Sequence, residues 1–127
     1  MDQPNPATSK KPYDIHERLF VFACEVVKAA QFLHTRGPIG VAVSYQILNA
    51  GTSADSNYEE ADDGSSPRDK LAKRRIVLRE LKECRWRMRL VRAAGLLTPA
   101  QDPVIVESDE LVRIVATIIR NAESGDS

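Results

Sequence analysis

The chain has 127 residues, 43% of them hydrophobic, and its 18 lysines and arginines balance 18 acidic residues. This length is enough for one domain with a sizeable core, and no apolar run is long enough to span a bilayer. The polar, proline-containing start at residues 1–12 lacks the apolar segment of a secretory signal. We therefore expect a cytoplasmic protein with reduced thiols, in which Cys24 and Cys84 are small core residues and no metal site forms.

The first predicted helix follows a tail at residues 1–12 that we expect to be disordered. Asp14 is a residue type that caps helices, and Gly37-Pro38 predicts a helix end near Arg36. Between them the apolar residues recur at spacings of three and four, as one buried helical face requires. They are Ile15, Leu19, Phe22, Val26, Ala29 or Ala30, and Leu33.

The second helix is predicted from about Gly40 to Ala61, and its many small side chains would let a neighbouring helix approach closely. Its last turns are acidic, which opposes the helix dipole. The acidic residues are Asp55, Glu59, Glu60, Asp62 and Asp63. The third helix is strongly basic, so it is the expected partner of this acidic end.

The third helix is predicted between Ser66, which can cap it, and Gly95, which favours a helix end. Pro67 fits the first helical position, where no amide hydrogen is needed. The buried seam of this helix consists of Val77, Leu81, Cys84, Met88 and Val91. From Arg68 to Arg92 there are 11 Lys or Arg against 3 Asp or Glu, so the positive charge of a neutral chain is concentrated here.

A row of cations lies on one flank of this helix when its residues are placed about 100° apart. This row, which we call the basic stripe, consists of Arg75, Lys82, Arg85, Arg89 and Arg92, with Trp86 just beyond it. Guanidinium groups beside an aromatic ring suit phosphate contacts and stacking on an unpaired base. The same cations could instead pair with the acidic end of the second helix, and the pattern alone leaves both interpretations open.

The fourth helix is predicted at about residues 103–122, because Asp102-Pro103 is a cap-and-proline start. Ser108 interrupts its apolar face, so a start at Ser108 is the alternative. No segment alternates at period two for long enough to be a strand. Four helices with short connections predict an all-α fold, an up-down-up-down antiparallel four-helix bundle over residues 13–123 with a C-terminal tail at residues 124–127.

Three segments carry a resemblance to a known family: YDIHERLFVFACEVVKAAQFL, SYQILNAGTSADSNYEEA and SPRDKLAKRRIVLRELKECRWRMRLVRAAGLL. In order and spacing they are similar to the S23 proteins, bacterial four-helix bundles encoded in intervening sequences of 23S ribosomal RNA genes. The same family includes the accessory protein of diversity-generating retroelements. The similarity extends from Tyr13 to about Ala122. The chain departs from the family at Asn49, where a basic residue is common, and in its neutral net charge.

The resemblance implies a four-helix bundle that assembles into a homopentameric ring. It also implies two kinds of partner, because the retroelement relative binds nucleic acid and a reverse transcriptase. A ring requires an exposed interface, and an outer row of apolar residues, two of which (Ile76 and Leu90) lie on the flank away from the basic stripe, is the candidate. The row consists of Ile76, Leu90 and Leu97.

The sequence therefore predicts a non-enzymatic, homo-oligomeric bundle that binds structured RNA or a nucleoprotein partner, such as a reverse-transcriptase-like protein. The predicted binding residues are Arg75, Lys82, Arg85, Trp86, Arg89 and Arg92. The alternative is a structural or protein-interaction scaffold in which the stripe pairs with the acidic end of the second helix. Catalysis is not expected, because adjacent Glu59 and Glu60 point about 100° apart and no nucleophile is placed beside a base. No cofactor, small-molecule substrate or membrane partner is expected.

Overall fold

The computed structural model describes residues 14–63 and 66–125. Four α-helices occupy these ranges: α1 at Ile15–His34, α2 at Gly37–Asp62, α3 at Pro67–Ala93 and α4 at Asp102–Glu123. A 3₁₀ turn at Pro99–Gln101 precedes α4, and the described residues contain no strand. The tail predicted at residues 1–12 and the last residues of the C-terminal tail, 126–127, lie outside the described ranges.

Consecutive helices lie side by side. The pairs α1–α2, α2–α3 and α3–α4 make most of the contacts between helices, and α1 touches α4 much less. Because short connections join neighbouring helices, the helix direction alternates along the chain. The predicted all-α, up-down-up-down four-helix bundle is confirmed, and α1 and α3 lie diagonally across it. Across both described ranges, no helix is long and apolar enough to cross a membrane.

The core is built from one face of each helix. Its largest fully buried side chains include Phe22, Leu19, Leu33, Ile47, Leu81, Met88 and Leu111. Full burial of one such side chain stabilises a fold by about 1.5–3 kcal/mol. Gly51 lets α1 and α2 approach closely, because a Cβ atom at this position would lie 2.7 Å from Val26 Cγ1.

The connection between α1 and α2 is shorter than the sequence predicts. Gly37 has a φ of +83°, a conformation that a residue without Cβ adopts at low cost. Pro38 then lies in the first turn of α2, where its missing amide hydrogen costs no hydrogen bond. Gly37-Pro38 therefore ends α1 and also starts α2, so the predicted start at Gly40 is three residues late.

Polar side chains cap α1 and α3 at the predicted places, whereas the predicted cap Asp102 lies inside α4, whose N-cap residue Gln101 makes no side-chain cap hydrogen bond. Asp14 accepts a hydrogen bond from the His16 amide at 2.9 Å, and Ser66 accepts one from the Asp69 amide at 3.1 Å. Gly95 follows α3 with a φ of +86°. The two hydrogen bonds satisfy amide groups that a helix start leaves without partners, and Gly95 adopts the backbone conformation that commonly ends a helix.

The fourth helix begins at Asp102 and not at Ser108. Thr98 and Gln101 form a capping box around the preceding 3₁₀ turn. Ser108 is fully buried, and its hydroxyl donates to the Ile105 carbonyl at 2.6 Å. The hydroxyl is thus satisfied inside the helix, which explains how a polar residue can lie on the apolar face.

Two expectations about burial are wrong. Cys24 is exposed, because it lies on the side of α1 that faces away from the core. Leu97, expected on the outer apolar row, is only 1% exposed. The chain folds back at the end of α3, where the Leu97 amide donates to the Val91 carbonyl at 3.2 Å. Cys84 is buried as predicted, and burial raises the pKa of its thiol to about 12.

Candidate functional site

Three cations of the basic stripe form ion pairs with carboxylates of α4. The pairs are Arg75–Glu123, Arg85–Asp109 and Arg92–Asp102, with shortest N–O distances of 2.6, 2.9 and 2.8 Å. Arg92 donates from Nε and Nη2 to the two oxygens of Asp102, a bidentate geometry that strengthens charge-assisted hydrogen bonds. These pairs neutralise part of the stripe and hold α3 against α4.

The sequence contains a signal for two of these pairs. Arg85 and Arg92 are seven residues apart, and so are their partners Asp109 and Asp102, in the opposite chain order. Seven residues make about two helical turns. Antiparallel neighbours with the same spacing therefore bring both pairs into register. The spacing of Arg85 and Arg92 alone does not identify these pairs, because the matching spacing of Asp102 and Asp109 in α4 is also needed.

The remaining part of the stripe is open. Lys82 and Arg89 are exposed, and neither forms an ion pair within residues 14–63 and 66–125. Trp86 lies between them and is 57% exposed, with the Arg87 guanidinium carbon 5.7 Å from its ring centroid. We call Lys82, Trp86 and Arg89 the open stripe. An anionic ligand would meet these three side chains without first displacing a carboxylate.

The acidic end of α2 meets other cations. Glu60 pairs with Lys73 at 3.2 Å, and Asp62 pairs with Arg74 at 3.6 Å. The third helix is the partner of this acidic end, as predicted, since Lys73 and Arg74 belong to α3. The alternative in which the basic stripe pairs with this acidic end is wrong between the described residues of one chain. Its physical reason is the antiparallel connection, which places the last turns of α2 beside the first turns of α3, while the stripe faces α4.

His16, in the first turn of α1, also contacts this acidic end. Its Nδ1 lies 2.9 Å from Glu59 and its Nε2 lies 2.5 Å from Asp62. Both ring nitrogens can donate to carboxylates only when the imidazole is protonated. Burial lowers the pKa of His16, but the hydrogen bond to Glu59 and the charge of Asp62 outweigh burial, and the pKa is raised.

Asp55 lies one turn before Glu59, and it differs from the paired carboxylates. One of its oxygens is buried and has no hydrogen-bond partner among the described residues. Burial raises the pKa of Asp55, and the negative charge of Glu59 raises it further. Asp55 is thus a locally unfavourable charge within an otherwise paired end of the bundle.

Two groups of apolar side chains are exposed. The first, which we call the α1 strip, consists of Phe20, Val21, Cys24 and Val27 on the outer face of α1. The second, which we call the α3 patch, consists of Trp86 and Leu90 of α3 and Val106 of α4. Contiguous exposed apolar surface is typical of interaction sites. Of the outer row predicted from the sequence, Leu90 is 52% exposed and Ile76 is half-buried.

The α3 patch is concave. A cavity of about 500 Å³ is lined by Trp86 and Leu90, and one of about 270 Å³ is lined by Val106. Arg89 and Ile105 line both cavities, so they connect the two ends of the patch. The patch therefore forms a groove between α3 and α4. It is lined by Arg89 and by the ion pairs Arg85–Asp109 and Arg92–Asp102.

These features define a class of protein: an all-α four-helix bundle that exposes apolar and basic surfaces on diagonal helices. No group of three or more His, Cys, Asp or Glu side chains in the described part of the chain is arranged to hold a metal ion. The bundle is similar to the crystal structure, at 1.70 Å resolution, of a protein of unknown function from the S23 ribosomal protein family of Bacteroides thetaiotaomicron. The two share a TM-score of 0.78 and 27% sequence identity, over 84% of this chain and 98% of that chain.

No protein-family model matches the sequence, and no curated protein matches it either. The relationship of this chain to a known family therefore rests on its similarity to a solved structure. The similarity in fold and in sequence confirms the predicted resemblance to the S23 family.

Proposed function

We propose that the protein is a non-enzymatic helical bundle that assembles with copies of itself into a closed ring. The observation that carries this proposal is the pair of exposed apolar surfaces, the α1 strip and the α3 patch, on helices that lie diagonally across the bundle. The resemblance to the S23 family favours five copies.

Two different surfaces on opposite corners suit head-to-tail assembly, which closes into a ring when the rotation between copies allows it. Each copy in a ring offers one surface to the copy before it and another to the copy after it. A lone chain leaves Phe20 and Trp86 each 57% exposed. Covering apolar surface contributes about 25 cal/mol per Å² to association before the entropic costs of assembly are subtracted.

The α3–α4 ion pairs support the same proposal. Arg85–Asp109 and Arg92–Asp102 fix the relative position of the two helices that form the α3 patch. A preformed surface loses less conformational freedom when it binds than a flexible one. We therefore assign these two cations, whose side chains are only 26% and 35% exposed, a structural role rather than a contact with a ligand.

Two paired carboxylates and the buried thiol support the non-enzymatic part of the proposal. The carboxylates of Glu60 and Asp62 are engaged by the cations of Lys73, Arg74 and His16. The Cys84 thiol is buried and has a pKa of about 12, so it is not a nucleophile in the folded protein.

Sedimentation velocity at micromolar concentration tests the assembly, and we expect a mass five times that of one chain. Phe20→Asp and Trp86→Asp should each shift the protein toward monomer, because an unpaired carboxylate is costly in an apolar interface. Ile39→Asp is the matched control, since Ile39 is 69% exposed on α2 and belongs to neither surface. A stable wild-type monomer would contradict the proposal.

A second candidate function is binding of single-stranded RNA, or of a nucleoprotein that presents it. The open stripe favours this candidate, because two exposed cations flank an exposed indole ring. Cations contact phosphates and the indole can stack on an unpaired base. The paired Arg75, Arg85 and Arg92 contribute less than the sequence predicts, since a phosphate would have to compete with their carboxylate partners.

A salt titration of oligouridylate binding by fluorescence anisotropy tests this candidate. Replacing both Lys82 and Arg89 with Gln should flatten the dependence of log K on log salt by up to about 1.4, at about 0.7 for each lost phosphate contact. Arg85→Gln is the control and should change this slope little, because Asp109 already neutralises that cation. Absence of binding by the wild type at low salt excludes the candidate.

A further inference from the structure

The two exposed apolar surfaces differ in shape and charge, and this difference determines which surfaces can meet. We propose that the α1 strip of one copy packs into the α3 patch of the next copy, with Cys24 at the centre of the contact. This inference rests on the proposed assembly and names its interface. The occupant of the groove is therefore a second copy of this chain.

The α1 strip is a convex ridge with an apolar centre. Phe20, Cys24 and Val27 recur at spacings of four and three, so they share one face of α1. Leu19, Phe22, Val26 and Leu33 cover the opposite face and are buried in the core. Of these three side chains, Cys24 points most directly away from the core. Val21 lines a cavity on the side of α1 next to α4, and Val27 lines one on the side next to α2. The outer face of α1 is therefore the ridge between these two cavities, whereas the α3 patch is a groove between two helices.

The positions of the two surfaces favour a head-to-tail contact. α1 and α3 are each flanked by α2 and α4, which separate the α1 strip from the α3 patch. A copy that receives a ridge in its groove therefore keeps its own ridge free on the far side. Repeated contacts of this kind produce a ring or a filament, whereas a two-fold contact stops at a dimer.

The charges around the surfaces also favour this pairing. Lys82 and Arg89 border the α3 patch and have no ion-pair partner within the described residues. Glu17 and Glu25 border the α1 strip and are exposed, and of the two only Glu25 is near a cation of its own helix, Lys28 at 3.3 Å. Packing ridge into groove brings opposite charges together. Packing groove on groove would set Lys82 and Arg89 against their own copies.

The native cysteines provide a direct test, because only Cys24 is exposed. In the assembled wild type we expect a maleimide to label Cys24 at least about tenfold more slowly than in the dissociated Trp86→Asp variant, since the interface would cover the thiol. Cys84 serves as an internal reference, because burial protects it in both states. Rapid labelling of Cys24 in an intact oligomer would overturn the inference and leave the proposed assembly standing.

Cross-linking tests the orientation. Oxidation of Leu90→Cys with diamide should join Cys24 of one copy to the introduced thiol of the next, with both thiol hydrogens passing to diamide. The expected product is a ladder of covalent multimers beyond the dimer on a non-reducing gel. Ile39→Cys is the matched control and should form no ladder, because Ile39 lies outside both surfaces. Val106→Cys is a second probe of the groove if Leu90→Cys prevents assembly.

The other outcomes are distinguishable. Covalent dimers alone would show a two-fold contact and overturn the head-to-tail pairing. A wild-type monomer by sedimentation would remove the proposed function itself, whatever the cross-linking result. A change in Trp86 fluorescence when oligouridylate is added, with Cys24 still freely labelled, would assign the groove to RNA and overturn the inference.

Discussion

His16 connects the first turn of α1 to the last turns of α2 through both of its ring nitrogens. From α2 it meets the carboxylates of Glu59 and Asp62, and the Tyr58 ring packs edge-on with its centroid 5.1 Å away. From α3 the Arg74 guanidinium carbon lies 5.5 Å from the same Tyr58 ring. A single protonated imidazole thus offsets part of the negative charge that opposes the dipole of α2.

We expect the stability contributed by His16 to depend on pH. The pKa of His16 is raised in the folded protein, and in the unfolded chain it is about 6.5. The contribution is therefore fully present below about pH 6.5 and is lost as pH rises through the raised folded value. Urea denaturation should show the free energy of unfolding falling over this window, and His16→Gln should remove that part of the fall.

The control for this experiment is His34→Gln. His34 ends α1 with its ring edge-on to Tyr45, so this variant should keep the pH-dependent fall of the wild type. Equal pH dependence in wild type and His16→Gln would show that the contacts with Glu59 and Asp62 do not stabilise the fold.

At the scale of the element, the close contact between α1 and α2 depends on Gly51, which has no side chain. We expect Gly51→Ala to lower the free energy of unfolding by about 1–3 kcal/mol, because overpacking outweighs a gain of about 1 kcal/mol in helix propensity. The new Cβ would lie 2.7 Å from Val26 Cγ1, and a β-branched side chain moves its methyl groups only by changing rotamer. Asn49→Ala, exposed on the same helix, is the matched control and should be neutral or slightly stabilising in urea denaturation.

The ion pairs between α3 and α4 should contribute to stability and not to RNA binding. Arg85→Gln and Arg92→Gln should each lower the free energy of unfolding by up to about 1 kcal/mol, as expected for partly exposed pairs. High salt should reduce the difference, because it screens these charges. Lys82→Gln is the control in the same helix and should leave stability unchanged. Loss of RNA affinity with unchanged stability in the Arg85 variant would reverse this assignment.

The elements could be predicted because their signals are local. Ser66, Gly95 and the spacing of the apolar residues fix the ends and the buried face of α3 without reference to other helices. The surroundings of a residue could not be predicted in the same way. Leu97 is covered because the chain folds back over the end of α3, and Cys24 is exposed because α1 carries apolar residues on two faces. The partner of Arg85 depends on the register between α3 and α4.

At the scale of the whole molecule, the neutral net charge is a sum over helices that neutralise one another. The cations of α3 face carboxylates of α4 along one side and those of α2 near its start. Long-range attraction of an anionic partner is therefore weak over most of the surface, and the open stripe is one place where positive charge remains exposed, beside the Trp86 ring. Net charge alone could not show this, because it carries no information about which charges are adjacent.

The first turn of α1 and the last turn of α4 lie at the same end of the bundle. His16 contacts Asp62 at the end of α2, and Glu123 contacts Arg75 near the start of α3. The chain order could therefore be rearranged so that a flexible linker leads from α4 into α1, with new termini opened beside Thr35, and every contact between helices would be kept. In the proposed ring, a domain fused before α1 or after α4 would project from the same side, so that each chain could display two cargoes next to each other.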